Sequence, residues 1–170
     1  MRESLALLIP VFNNLSYTKS CINGLKKIIN PEKVKIIVAD DNSTDGTAQW
    51  IKENHPDVIL LKGNGSLWWS GSVNLAMKYV MDNHLADYML WWNNDIVPAD
   101  GYFTQLGELL STLDPNVVIG SKIYASEDLG TVWSMGGRFN PHTGKRFMHA
   151  YMQADNDGYS EPLEADWLPG

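Results

Sequence analysis

The strongest constraint on the fold is a series of short, nearly continuous apolar runs that alternate with helical patterns. The runs are Leu5 to Val11, Val34 to Ala39, Asp57 to Leu61, Tyr88 to Trp92 and Val117 to Ser121. The helical patterns between them cover Tyr17 to Ile29, Thr44 to Asn54, Trp69 or Ser70 to Asn83, and Ala99 to Leu113. Strands without a polar face are typical of a parallel sheet that helices cover on both faces. We therefore predict an α/β fold with a mostly parallel, Rossmann-like sheet and helices on both faces.

The last part of the chain has a different character. After Tyr124, turn signals such as Gly136-Gly137 and Asn156-Asp157-Gly158 separate short extended pieces, which indicates hairpins and loops. A chain of 170 residues supports one good-sized core. We predict a single domain over the whole chain, with these hairpins and loops packed at the edge of the sheet.

Charge and cysteine content exclude several classes of protein. The chain has 13 basic and 20 acidic residues and a formal net charge of −7. This charge argues against a nucleic-acid binder, because phosphate binding needs clustered Lys and Arg. An anionic ligand would therefore need a metal ion or backbone N–H groups. The single cysteine, Cys21, permits no internal disulfide and is expected to be a buried thiol, which fits a reducing cytoplasm.

Membrane attachment is constrained by the lengths of the apolar runs. None of them approaches the roughly 20 residues that cross a bilayer. Peripheral association with the inner face of the cell membrane stays open, and nothing in the sequence indicates an oligomeric state.

Polar clusters follow four of the predicted strands, at Asn13-Asn14, Asp40 to Ser43, Asn64 to Ser66 and Asn93 to Asp95. In an open α/β sheet, ligands bind beyond the carboxyl ends of the strands. Any one of these clusters is more simply explained as a turn that caps the next helix. Their joint placement at one edge favours a ligand site.

Two common nucleotide-binding motifs are absent from the sequence. A dinucleotide site would need G-x-G-x-x-G after the first strand, where the chain has PVFNN at Pro10 to Asn14. The P-loop pattern G-x-x-x-x-G-K-[ST] occurs nowhere in the chain. A Rossmann dehydrogenase and a P-loop ATPase are therefore both disfavoured.

Two carboxylates at strand ends are the candidates for ligand chemistry. Asp41 follows the second strand, where a carboxylate accepts hydrogen bonds from a nucleobase or a ribose hydroxyl. Asp95 ends the triplet Asn93-Asn94-Asp95, whose hard oxygen atoms suit Mg²⁺ or Mn²⁺ bound mainly through one carboxylate, water and substrate phosphates. A base contact and a metal for the diphosphate are together what a nucleotide-sugar site needs.

Several segments together resemble glycosyltransferase family 2, whose catalytic domain has the GT-A fold. They are PVFNN, VADDNSTDGT at Val38 to Thr47, GNGSLWWSGSVNLAM at Gly63 to Met77, and WWNNDIVP at Trp91 to Pro98. Two tryptophan-containing segments, WWSGSVN at Trp68 to Asn74 and DWLPG at Asp166 to Gly170, are similar to rhamnosyltransferase-like members of the family that act on cell-surface polysaccharides. The resemblance covers most of residues 4 to 123. It implies a donor-binding half at residues 1–123 and the start of an acceptor-side part at 124–170, which we expect to be truncated.

The resemblance also implies roles for individual residues. The metal would be held by Asp95 with Asn93, and Asn94 departs from the Asp more usual in the family. Nucleotide binding is expected at Pro10, Phe12, Asn13, Asp41, Asn64, Gly65 and Asn93. Contacts with the donor or acceptor sugar are expected at Trp68, Trp69, Asn74, Asp166 and Trp167.

The reaction that the resemblance implies is an inverting single displacement. An acceptor hydroxyl, on a glycan or a lipid-linked acceptor, would attack the anomeric carbon of a nucleoside-diphosphate sugar and lose its proton to a carboxylate base. The family has this base in an acidic cluster after the acceptor-side strand, so we expect it beyond Gly170, with Asp166 as a weaker candidate.

Structural roles and other functions compete with this interpretation. Packing in the core explains Trp91 and Trp92, and at least one of Trp68 and Trp69 is expected to be buried. A carbohydrate-binding domain without catalytic activity would explain the tryptophans but not the acidic clusters. A nucleotidyltransferase with a similar sheet would need a glycine-rich, basic loop after the first strand, which PVFNN does not supply.

Overall fold

The computed structural model describes residues 4–114, 116–125 and 128–169, and it divides into two compact units, Met1–Leu113 and Asp114–Gly170. The described part of the first unit alternates strands and helices. They are β1 Leu5–Val11, α1 Leu15–Ile28, β2 Val34–Asp40, α2 Thr47–Asn54, β3 Ile59–Lys62, α3 Trp68–Asn83, β4 Tyr88–Trp91 and α4 Tyr102–Leu110.

The four strands of the first unit form one parallel sheet in the order β3-β2-β1-β4. Strand β1 is central, and its first residue, Leu5, lies opposite Val34 of β2 and Tyr88 of β4. Because all four strands run in the same direction, their carboxyl ends meet at one edge. The predicted parallel sheet is confirmed.

The side chains of β1 alternate between two hydrophobic clusters, one on each face of the sheet. Leu5, Leu7, Ile9 and Val11 pack with residues of α1, α2 and α4, whereas Ala6 and Leu8 pack with Ala76 and Val80 of α3. Burial on both faces explains why the strand has no polar side, since every position along it removes apolar surface from water. Helices therefore cover both faces, as predicted.

The starts of α1 and α2 are joined by one side chain. Asp45 accepts hydrogen bonds from the backbone N–H of Leu15, at 2.8 Å, and from the N–H and hydroxyl of Thr47, at 3.1 and 2.6 Å. Helix α2 thus begins at Thr47, after Gly46, and not at the predicted Thr44. Although burial acts to raise it, hydrogen bonds from Thr47 and Leu15 lower the pKa of Asp45.

Two expectations about apolar residues are wrong. The run Val117 to Ser121 belongs to none of the sheets that the described residues form, and Val118 is 86% exposed, so the run does not form the predicted strand. Trp91 is half exposed on the edge strand β4, whereas Trp92 is buried as expected. Among the described residues, β4 has a strand neighbour on one side only, so its apolar side chains are not all enclosed.

The second unit consists of short antiparallel pieces. Its elements are β5 Ile123–Ala125, β6 Asp128–Ser134, β7 Gly137–Phe139, β8 Arg146–Met148, β9 Gln153–Ala154 and a 3-10 turn at Asp157–Tyr159. Strands β5, β6 and β9 form one sheet and β7 pairs with β8 in a hairpin. Lys122 pairs with Asp155 at 2.8 Å, and Asp155 also accepts the Tyr124 hydroxyl at 2.6 Å. The predicted hairpins are confirmed, and their packing at the edge of the sheet stays a prediction.

Gly63, directly after β3, lies so close to β2 that no side chain fits. A Cβ atom there would lie 2.5 Å from a carboxylate oxygen of Asp41 and 2.9 Å from its Cα. We expect Gly63→Ala to lower the free energy of unfolding by about 1–3 kcal/mol, the usual cost of overpacking, because backbone atoms cannot move aside cheaply. Urea unfolding followed by circular dichroism measures this.

Gly24 is the matched control for that substitution. It lies in α1, and a Cβ atom there would meet nothing within 4 Å. Since alanine is the better helix former, Gly24→Ala should stabilise the protein by roughly 0.5–1 kcal/mol. Equal effects of the two substitutions would contradict the crowding at Gly63.

Cys21 provides a test of the core between α1 and the sheet. Burial raises the pKa of its thiol to about 11 from 9.0. At pH 7 and below, the thiol is protonated in both the folded and the unfolded state and its ionisation has no effect on stability. Above that, the unfolded chain ionises first, so stability falls with rising pH, by about 1.4 kcal/mol at pH 10. We expect the unfolding free energy of wild type relative to Cys21→Ala to fall by this amount between pH 8 and 10, and an unchanged difference would show that the thiol is hydrated.

Candidate functional site

The four loops at the carboxyl edge of the parallel sheet are linked to one another by hydrogen bonds. The loop after β1 meets the loop after β2 through Asn13, whose N–H donates to the Ser43 hydroxyl at 2.7 Å and whose side-chain oxygen accepts the N–H of Thr44 at 2.9 Å. Asn13 itself has a left-handed backbone, with φ 57°. The first two predicted polar clusters are therefore in direct contact.

Asp41 links the loop after β2 to the loop after β3. Its side chain is almost fully buried, with 4% exposure of the residue. One carboxylate oxygen accepts the N–H of Gly65 at 2.8 Å, and the other accepts those of Leu67 and Trp68 at 2.8 and 3.0 Å. The N–H groups at the start of α3, which would otherwise attract an external anion, are thus directed at a carboxylate of the protein itself. The predicted contact between Asp41 and a nucleobase stays a prediction.

The neighbouring Asp40 has a local role in the same loop. It is buried and accepts hydrogen bonds from both the N–H and the hydroxyl of Ser43. Its backbone oxygen accepts the N–H of Gly63 at 2.7 Å, which holds the loop after β3 against β2. Asp40 therefore shapes the turn that places Asp41.

The first turn of α3, which follows the loop after β3, is linked in turn to the loop after β4. The indole N–H of Trp69 donates to the side-chain oxygen of Asn93 at 2.8 Å. The Trp69 ring also packs edge-on against Trp91, with ring centroids 5.8 Å apart. The side chain of Asn94 turns the other way and donates to the hydroxyl of the buried Thr18 at 3.1 Å. All four loops thus form one connected series.

Asp95 is an exposed carboxylate of this edge. The described residues contain no group of three or more His, Cys, Asp or Glu that could hold a metal ion by themselves. Asn93 already accepts one hydrogen bond, and an amide oxygen has a second lone pair for a further contact. One exposed carboxylate with a neighbouring amide fits a Mg²⁺ or Mn²⁺ ion that is bound mainly through water and substrate phosphates.

Trp68 combines high exposure with an unusual backbone. Its side chain is 82% exposed, and its φ is 57°, in the left-handed region that bulky residues rarely occupy. The expectation that one member of the Trp68 and Trp69 pair is buried is wrong, because Trp69 is also 37% exposed. Both rings are therefore accessible at the carboxyl edge.

The other residues predicted to bind nucleotide or sugar in the first unit are exposed or half-buried around the same loops. Phe12 is 59% exposed, Pro10 is half-buried and Asn74 is exposed on α3. The side chain of Asn64 accepts the N–H and the hydroxyl of Ser66, at 2.9 and 2.8 Å, and Gly65 has φ 86°. Their ligand contacts stay predictions.

Asp166 and Trp167 lie in the second unit beside the β7-β8 hairpin. Asp166 accepts the N–H of Phe139 at 2.8 Å and lies 3.4 Å from Arg138. The Phe139 N–H and, to a smaller extent, Arg138 hold the pKa of Asp166 below its ordinary value, although desolvation acts against them. A carboxylate of lowered pKa is the weaker general base.

A cavity of about 560 Å³ opens beside these two residues in the second unit. Phe139 and Arg146 line it with Asp166 and Trp167. A Cβ atom on Gly137 would lie 2.8 Å from the Trp167 ring, so the glycine permits the ring to pack closely on the hairpin. Neither Phe139 nor Arg146 was predicted from the sequence, because each lies in a short strand between turn signals and belongs to no recognisable motif.

The residues that connect the loops differ in how visible they are in the sequence. Ser43 and Thr18 receive hydrogen bonds from other loops, and Asp45 joins two helix starts. Ser43 and Asp45 belong to the DDNSTDGT segment, which was the available signal. Thr18 lies inside α1 and has no such signal.

Comparison with known proteins agrees with this geometry. The family model for glycosyl transferase family 2 matches residues 6–161. No curated protein matches the chain significantly.

Solved structures with a similar fold have low sequence identity to this chain. The mannosyltransferase PcManGT from Pyrobaculum calidifontis, solved with GDP-Man and Mn²⁺, has a TM-score of 0.63 and 19% identity over 82% of this chain and 42% of its own. S. aureus TarS, residues 1–349, solved with UDP-GlcNAc, has a TM-score of 0.55 and 19% identity over 64% of this chain and 31% of its own. The chain thus spans less than half the length of these proteins.

The match over residues 6–161, together with the parallel sheet and the connected loops at its carboxyl edge, establishes that the chain belongs to glycosyl transferase family 2.

Proposed function

We propose that this chain binds a nucleoside-diphosphate sugar at the carboxyl edge of its parallel sheet and serves the transfer of the sugar to a glycan or lipid-linked acceptor. The observation that carries the proposal is the connected series of four loops, from Asn13 through Asp41 and Trp69 to Asn93. Ligands of open α/β sheets bind at this edge. Two proteins of similar fold were solved with GDP-Man and with UDP-GlcNAc.

Residues of different loops would bind different parts of the donor. Asn13, Asp41 and the loop at Asn64-Gly65 would bind the nucleotide, with Pro10 and Phe12 beside them. Trp68, Trp69 and Asn74 would contact the sugar. Because hydrogen bonds already fix these loops, they would hold the donor in line with little loss of conformational freedom.

Asp95, with Asn93, would hold a divalent cation on the side of the diphosphate. When bound, Mg²⁺ or Mn²⁺ offsets the negative charge of a leaving diphosphate. With a net charge of −7, the chain offers no excess of Lys and Arg for the same purpose. Asp95 is thus the residue on which diphosphate binding would depend.

An inverting single displacement is the reaction we propose, with cell-surface polysaccharide synthesis as its setting. It needs a carboxylate that takes the proton of the acceptor hydroxyl. Asp166 is the weaker assignment for this role because its pKa is lowered, and its position beside Trp167 and Arg146 suits a contact with the acceptor. A position at the cytoplasmic face of the membrane is part of the proposal. In the described part of the chain, no helix has both the length and the apolar character that a membrane crossing requires.

The exposed tryptophans also suit a carbohydrate-binding domain, and a thermal-shift titration separates the two functions. UDP, GDP and dTDP are tested with Mn²⁺, with Mg²⁺ and with a chelator, beside free glycans. A donor site predicts stabilisation of about 2.7 kcal/mol at 100 times the Kd of the preferred nucleotide, and only with the metal. Stabilisation by glycan alone would replace the transferase with a binding domain.

Asp95→Ala should remove the metal dependence of nucleotide binding and leave the fold unchanged, because the side chain is exposed. Asp100→Ala is the matched control, since it removes another exposed carboxylate five residues further along the chain. Calorimetry with the preferred nucleoside diphosphate and Mn²⁺ measures both. An Asp95→Ala protein that keeps the wild-type affinity would show that the metal is held elsewhere.

A further inference from the structure

Asp95 is the exposed residue of a short turn whose neighbouring residues are held in place. Asn93 and Asn94 before it are half-buried, and Ile96 after it packs against the hydrophobic cluster of which Trp92 is part. The N–H of Ile96 donates to the backbone oxygen of Asn93 at 3.4 Å, across the turn. The carboxylate is therefore carried by a backbone segment that is restrained both before and after it.

The residue directly before Asp95 is bound to helix α1. The side-chain amide of Asn94 donates to the hydroxyl of Thr18 at 3.1 Å, and Thr18 is completely buried, with 0% exposure. The N–H of Thr18 donates in turn to the backbone oxygen of Asn14 at 3.2 Å, and Asn14 ends the loop after β1. One buried threonine thus connects the loop after β1 with the loop after β4.

This hydrogen bond closes the series of loops into a ring. Asn13 joins the first loop to the second, Asp41 joins the second to the third, and Trp69 joins the start of α3 to the fourth. The bond from the fourth loop to Thr18 leads back to the first. In a closed ring each loop is held from two sides, so the loop of Asp95 is restrained relative to the loop of Asn13.

We propose that Thr18 and Asn94 are positioning residues that place the Asp95 carboxylate for a divalent cation. This inference rests on the proposed function, in which Asn13 contributes to nucleotide binding and Asp95 holds the metal. The cation has to reach both the carboxylate and the diphosphate of the same nucleotide, so the placement of one loop relative to the other matters. A carboxylate that is already placed loses little freedom when the ion binds, which improves affinity.

The amide group of Asn94 is suited to this role. An amide donates hydrogen bonds through its nitrogen, whereas an ionised carboxylate only accepts them. The Asp that is more usual in the family at this position could therefore not donate to Thr18. The difference between this chain and the family pattern thus coincides with the bond to α1.

The dependence of nucleotide binding on Mn²⁺ distinguishes positioning from a role in stability alone. Calorimetry with UDP, GDP and dTDP at a series of Mn²⁺ concentrations gives the concentration that supports half of the maximal affinity, which we call the Mn²⁺ midpoint. Thr18→Val replaces the hydroxyl with a methyl group. We expect it to raise the midpoint about tenfold, the lower end of the effect of removing a group that orients a metal ligand. Thr18→Ser keeps the hydroxyl and should keep a midpoint close to that of the wild type.

Asn94→Leu removes the other partner of the same bond and should raise the Mn²⁺ midpoint by the same factor. Because both substitutions break one bond, the double variant should lose no more than either single variant. Asn94 is only half-buried, so Asn94→Leu decides the question if Thr18→Val does not fold.

Thr47→Val is the matched control. Thr47 is also completely buried, and its hydroxyl donates to Asp45 at 2.6 Å at the start of α2. We expect this variant to lower the unfolding temperature at least as much as Thr18→Val does, because it too loses a buried hydroxyl, and to leave the Mn²⁺ midpoint unchanged.

Three results would overturn the inference. An unchanged midpoint in both Thr18→Val and Asn94→Leu would show that their bond only stabilises the fold. A midpoint that rises equally in Thr47→Val would show that any loss of stability has this effect, and losses that multiply in the double variant would show that Thr18 and Asn94 act independently. A wild-type protein that binds none of the nucleotides with Mn²⁺ would instead refute the proposed function, and the positioning role with it.

Discussion

The buried carboxylate of Asp41 is the interaction on which the candidate site depends. A charge in a site almost closed to water is costly unless hydrogen bonds compensate for it. Here three N–H groups of the next loop do so, and this gives the loop after β3 its conformation. Gly63 is required at the same place because the carboxylate occupies the space where its side chain would be. One side chain thus determines the path of the chain from the end of β3 into α3.

The sheet could be predicted from the sequence because its strands are short segments composed almost entirely of apolar residues. Four apolar runs became the four parallel strands, since burial on both faces excludes polar residues from them. The same rule failed for Val117 to Ser121, because an apolar run forms a strand only where a neighbouring strand and a covering face are available. The predicted burial of Trp91 was wrong for a related reason, because the side chains of an edge strand are less enclosed than those of a central strand.

The location of the candidate site could be predicted from the sequence, but most of the contacts within it could not. Polar residues after parallel strands indicate where ligands bind, and the four loops do lie together. Their partners could not be predicted, because the donors to Asp41 are backbone N–H groups, which every residue but proline has. The burial of Asp41 and the exposure of Trp68 likewise reverse the usual preferences of these two residue types.

The left-handed residues of the first unit have a consequence for attempts to alter this edge. Of the five described non-glycine residues with positive φ in that unit, Asn13, Asn14 and Asn42 lie in its first two loops and Trp68 is the first residue of α3. The conformation of each loop depends on hydrogen bonds from the neighbouring loop. A single loop grafted from a relative would therefore carry its sequence into this protein but not its conformation. The smallest segment that could be exchanged with its geometry intact is the entire set of loops, transplanted together with the strand ends that carry them.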